Sequence, residues 1–192
     1  MDADYSIELS GDDPVLDFPW TDPSGRLAYV DLKRHPELLS QVEEASLHPE
    51  LAGFLRSVNS ARGAFESAKC DAWATTEIAP EEEIFGASHK FASYVDVVFS
   101  EAADRRAFSR HEEFVKRLVA LLAREPELAS SAEACVRRCF FGEDGATREG
   151  LYVTVYVNGY GNDETAARKN WAIGLKLVKN AMAQLSTSVS RG

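Results

Sequence analysis

Cysteine, methionine and histidine are scarce in this sequence: three, two and four residues among 192. The cysteines, Cys70, Cys135 and Cys139, are odd in number and follow no metal-ligand or disulfide spacing, which suits a reducing compartment and places the chain in the cytoplasm. On an extended strand Cys135 and Cys139 stand roughly 13 Å apart, too far to share one zinc, so neither metal nor cofactor is expected. Long apolar runs are missing as well. Leu118 to Ala123 is too short to span a bilayer, and the opening residues 1–13 carry neither a basic leader nor an apolar stretch, so neither membrane insertion nor export is expected. Basic residues fall short too: 21 against 31 acidic ones, a formal net charge of -10. Such a chain repels phosphate backbones and anionic membranes, which excludes nucleic acid and membrane surfaces as expected partners.

Several chemical motifs are absent. No Gly-x-Ser-x-Gly elbow marks a serine hydrolase. Gly159-Tyr160-Gly161 precedes a helix start, yet the third glycine of a dinucleotide fingerprint falls on Glu164, so the segment reads as a tight turn. The acidic groups Asp12, Asp13, Asp17 and Glu81, Glu82, Glu83 lack the alternating ligands and glycine of a calcium loop. His35 and His48 precede helix-starting prolines, and His111 lies beside an apolar stripe as a packing residue. His89 is catalytic only if a nucleophile or carboxylate reaches it from elsewhere.

What is present is a foldable chain. Hydrophobic residues make up 45% and charged residues 27%, the balance of a globular domain rather than a disordered one. Residues 1–26 are broken repeatedly by Asp, Pro and Gly and read as an extended amino-terminal arm, docked through Val15, Leu16, Phe18 and Trp20. Residues 27–186 read as a single α+β domain, and 187–192 as a frayed tail. A short strand is expected over residues 27–32. The tetrapeptide His-Pro-Glu-Leu recurs at His35 and His48, with Pro in the first turn and Glu at the positive end of the dipole, and predicts helices over 36–46 and 49–59. Period-two alternation predicts strands over 68–77 and 91–99, with a short helix or turn at Pro80 between them. Ser109, with Glu112 three residues on, is expected to cap a helix that Pro126 ends. Residues 133–160 read as a hairpin turned at Asp144-Gly145. A final helix capped by Asn162 or Asp163 repeats Trp171, Leu175, Val178, Met182 and Leu185 at three- and four-residue steps. The whole predicts a four- or five-stranded, mainly antiparallel sheet with three to four helices packed on one face.

The informative pattern appears when strand faces are aligned. If Ala68, Cys70, Ala72 and Ala74 face the helices, Asp71, Trp73 and Thr75 point the other way, as do Tyr94 and Asp96 in the next strand. The hairpin alternates Leu151, Val153, Val155 and Val157 inward with Tyr152, Thr154, Tyr156 and Asn158 outward. A two-residue turn sets Arg137 opposite Tyr152 and Cys135 opposite Thr154, whereas a three-residue turn shifts the register and brings Arg138 out.

Asp71, Trp73, Tyr94, Asp96, Arg137, Tyr152 and Tyr156 thus share one face, too aromatic for plain solvent and too polar for a closed core. Either that face is a recognition surface, or the arm covers it with Phe18 and Trp20. Three functions are compatible: an interaction protein that self-associates or holds a partner through this face, a sensor-type domain with a small-molecule pocket, and a carboxylate-based hydrolase using Asp71 and Asp96 as acid and base. A raised carboxylate pKa would favour the last.

Overall fold

The computed structural model describes residues 1–125, 127–143 and 145–189. In chain order it contains β1 (Asp2–Glu8), β2 (Val15–Phe18), a 3-10 turn (Pro36–Gln41), α1 (Glu43–Leu47), α2 (Pro49–Val58) and β3 (Phe65–Thr75). A second 3-10 turn (Pro80–Phe85) leads to β4 (His89–Phe99), α3 (Ala102–Arg106), α4 (Phe108–Leu122), β5 (Ser130–Glu143), β6 (Ala146–Gly161) and α5 (Glu164–Val189). One sheet holds all six strands in the order β1-β5-β6-β4-β3, with β2 also paired to β5.

The class is α+β, but the expected four or five mainly antiparallel strands become six, two of them parallel to a neighbour. The four strands from β5 to β3 are antiparallel. β1 and β2 run parallel to β5, one after the other along its outer edge. The breakers of the arm separate two short strands rather than preventing any. β1 alternates Asp2, Asp4, Ser6 and Glu8 with Ala3, Tyr5 and Ile7, a period of two that the Asp, Pro and Gly breakers following it obscure.

Other expectations shift for local reasons. Residues 27–32 form no strand, and Thr21 and Ala28 make a single isolated bridge nearby. The helix expected over 36–46 is broken at β-branched Val42, which is extended (φ -85, ψ 109) and divides the first 3-10 turn from α1. α4 starts before Ser109, behind Ala107, and uses no side-chain cap. The expected terminator Pro126 lies outside the described residues. At the hairpin Gly145 is left-handed (φ 75), while Asp144 lies outside the described residues. Asp163 caps α5, its Oδ1 accepting the Ala166 N–H at 2.8 Å. The backbone of α5 continues to Val189, beyond the expected onset of fraying, and residues 190–192 lie outside the described part.

The main core lies between one sheet face and α2, α4 and α5. Leu51, Phe54, Phe114, Leu118, Trp171 and Leu175 pack there on Phe91, Val95, Val97, Val153 and Val155. Each such buried side chain stabilises the fold by about 1.5–3 kcal/mol. The buried indole of Trp171 donates to Ser93 Oγ at 2.8 Å, so its polar edge is satisfied. Gly159 and Gly161 belong to the end of β6 and form no turn. A Cβ on Gly159 would lie 2.0 Å from Trp171 N, so its bare backbone is what lets α5 rest against the sheet. No helix among the described residues is long and apolar enough to cross a membrane.

Candidate functional site on the outward sheet face

The seven residues singled out from sequence do share the face opposite the helices. Pairing sets Asp71 opposite Tyr94, Tyr94 opposite Tyr156, Asp96 opposite Thr154 and Arg137 opposite Tyr152. One expected neighbour departs: a bulge between Ser67 and Lys69 turns Ala68 onto this outward face, where it packs with Leu16, Val98 and Tyr152. Cys70 and Ala72 keep their place beside the main core.

The alternatives of an open face and a covered one are both realised, at different places. At one end the arm lays Leu16, Phe18 and Trp20 over Val98, Cys139, Phe141 and Tyr152. Trp20 Nε1 donates to the Ala68 carbonyl at 2.6 Å, and the Phe18 ring meets Phe141 edge-on at 5.7 Å. Tyr152 is left only 4% exposed. At the other end the second 3-10 turn stacks Phe85 on Tyr160, with centroids 4.1 Å apart and planes 8° apart. Glu82 anchors that turn, accepting from Lys90 Nζ at 2.8 Å and from the Tyr160 hydroxyl at 2.7 Å.

Between the two covers a row of rings crosses three strands. Trp73 is 41% exposed, and Tyr94 and Tyr156 are half-buried. Ring centroids are 6.4 Å apart from Trp73 to Tyr94 and 6.1 Å from Tyr94 to Tyr156. Two cations lie on the row: the Arg137 guanidinium 5.6 Å from the Tyr156 ring, and the Lys69 ammonium 5.7 Å from Tyr94 and 5.3 Å from Trp20.

A polar chain beneath holds the Tyr156 end of this row. Arg137 Nη1 donates to Thr154 Oγ1 and to the Tyr156 hydroxyl, each at 3.0 Å, and its Nε donates to Glu8 at 2.7 Å. Thr154 in turn donates to Asp96 Oδ1 at 2.7 Å. Asp96 is 6% exposed, and burial pushes its carboxyl up to about 6, against the pull of the Thr154 hydrogen bond, Lys69 and Arg137. Burial, helped by Asp96, raises the Tyr152 hydroxyl to about 12. The same causes, with Asp71 added, raise Tyr94.

Asp71 is exposed and spends its Oδ1 on the Ala72 N–H at 2.7 Å, and no hydrogen bond joins it to Asp96. None of the four histidines belongs to the face. His111 is buried with its ring nitrogens 3.0 and 3.2 Å from the Ala107 and Leu151 carbonyls, the packing role expected of it. Ser88 Oγ lies 3.0 Å from His89 Nδ1 but also bonds the Asn162 carbonyl, and no carboxylate completes a triad among the described residues.

Sequence reasoning missed Ser6, Glu8, Lys69 and Glu133. Glu8, Glu133 and Cys135 bring ligand-type atoms within 4.8 Å of one another and are the residues a metal would meet. Arg137 already pairs with Glu8, and burial pushes the Cys135 thiol up to about 12, so a cation would have to displace the guanidinium and take the thiol proton. Glu8 and Ser6 reach the face through the parallel pairing of β1 with β5, which no sequence signal announced. Lys69 was legible as an outward position from the alternation alone.

No family model matches the chain, and neither does any curated protein or solved structure.

Proposed function

We propose that this chain is an acidic interaction protein that holds a protein partner, either another copy of itself or a basic chain, on the aromatic and polar face of its sheet. One observation carries the reading. The arm and the second 3-10 turn cover both ends of the face, yet the row Trp73, Tyr94, Tyr156 between them stays partly exposed while a hydrogen-bonded chain holds its Tyr156 end in place. Large rings with polar tips, positioned and left open, are what a partner's apolar and basic groups bind. The net charge of -10 favours a basic partner over nucleic acid. We assign it to the cytoplasm, where its free cysteines would remain reduced.

A carboxylate-based hydrolase is the second reading, favoured by the rise of Asp96 to about 6. It ranks behind because Asp96 is sealed beneath the rings while Asp71 faces solvent and is engaged by its own strand.

The test is photo-crosslinking in cells that express the chain, with a photoreactive phenylalanine analogue in place of Trp73 or, as control, of exposed Lys176 on α5. Adducts of defined mass at the first position and not at the second are expected. No adduct at the Trp73 position, or the same adducts at both, contradicts the reading.

A further inference from the structure

β3 is the last strand of the sheet, and its outer edge divides at the bulge. Before the bulge, side chains close it: Lys33 Nζ donates to the Phe65 carbonyl at 2.8 Å, Asn59 Oδ1 accepts the Ser67 N–H at 3.0 Å, and Trp20 reaches Ala68. Beyond the bulge, over residues 70–75, no strand lies alongside among the described residues. The Ala72 N–H donates to the neighbouring Asp71 carboxylate at 2.7 Å. An edge of this kind presents alternate N–H and C=O groups to any extended chain that reaches it.

Where this open edge begins, beside residues 67–71, lies a groove of about 240 Å³, between β3 and the segment leading into α1. Its lining combines apolar Leu27, Val30 and Val42 with the carboxylates of Glu43, Glu44 and Asp71. Against those three carboxylates stands one ammonium, Lys69, which is already held over Trp20 and Tyr94. The fields of Glu44 and Asp71 converge on the groove: after burial they are the next causes that raise the Cys70 thiol. Apolar walls with carboxylates match a lysine or arginine side chain, whose aliphatic stem packs while its charged head pairs.

We propose that residues 70–75 of β3 take an extended basic segment of a partner as an added strand, with a lysine or arginine of that segment seated in the groove. This assignment rests on the interaction reading and supplies the chemistry of the partner. Alternate side chains of an added strand share one face, so a lysine or arginine paired with Asp71 sets the side chains two residues along beside Trp73, where they join the aromatic row. A second copy pairing β3 to β3 would bring two chains of net charge -10 together with their Asp71 carboxylates near one axis, which charge disfavours.

The probes are short fluorescein-labelled peptides of alternating Lys and Val, the same peptides with Glu for Lys, and the Lys peptides with alternate amides N-methylated. Fluorescence anisotropy is read against the full chain, Glu43→Gln/Glu44→Gln and Tyr156→Ala. The Lys peptide should bind saturably and more weakly as salt rises, and the Glu peptide should not bind. N-methylation and the double Gln variant should each weaken binding by about tenfold, the worth of one or two lost hydrogen bonds or ion pairs. Absence of saturable binding at millimolar peptide overturns the assignment. So does affinity indifferent to both N-methylation and the Gln changes; if that affinity falls in Tyr156→Ala, the partner lies on the face and only the edge assignment fails. A dimer in light scattering that leaves no site for the peptide gives the edge to a second copy and likewise overturns it.

Discussion

Tyr152 and Tyr156 occupy the same face of the same strand, four residues apart, with opposite surroundings. Tyr152 is sealed beneath Leu16 of the arm, whereas Tyr156 is half-buried and spends its hydroxyl on Arg137. Tyr152→Ala should therefore cost about 3–5 kcal/mol of stability, as large-to-small changes in a core do. Tyr156→Ala should cost about 1 kcal/mol, the worth of one hydrogen bond. Urea denaturation of the two variants measures both. The outward run Tyr, Thr, Tyr, Asn was legible in the sequence, because period two exposes it. The difference between the two tyrosines was not, because it depends on where the arm docks. Asp96 carries a pH signature. Its folded pKa, about 6, lies above its ordinary 3.8, so the folded state holds a proton that the unfolded state releases between those values. The stability this supplies is complete below the unfolded value and is lost as pH rises through the folded one. Denaturation midpoints of the parent should show that fall, and Asp96→Asn should flatten it and be the more stable protein at alkaline pH.

At the scale of elements, strong alternation was readable and long-range pairing was not. β5 and β6 formed in the register that a two-residue turn dictates, with Arg137 opposite Tyr152, because their inward positions are aliphatic without exception from Leu151 to Val157. The parallel strands β1 and β2 were hidden, since nothing local signals a partner more than a hundred residues away. Gly159 shows how one position sets the relation between two elements: in sequence it reads as a turn glycine, yet its role is to let the backbone of α5 approach β6. Gly159→Ala should force the helix and strand apart and cost about 3 kcal/mol or more, the upper range for overpacking. Thermal melting checks it. A variant that melts like the parent would show that the approach is looser than the geometry states.

For the whole molecule, the order of helix and strand patterns along the chain revealed the α+β class and composition the sign of the net charge, while the shape of the candidate site came from tertiary structure. The arm and the second 3-10 turn are the decisive parts, because each covers one end of the outward face and together they frame what remains. Neither Phe18 nor Phe85 revealed from sequence which part of the sheet it would meet. The central claim is that the framed row of rings is kept for a partner and not for stability. Crosslink yield at the Trp73 position, compared between the parent and the Tyr94→Ala/Tyr156→Ala double variant, tests it most directly. The account predicts that the double variant stays folded and loses the adduct. Retention of the full adduct by a folded double variant would contradict it.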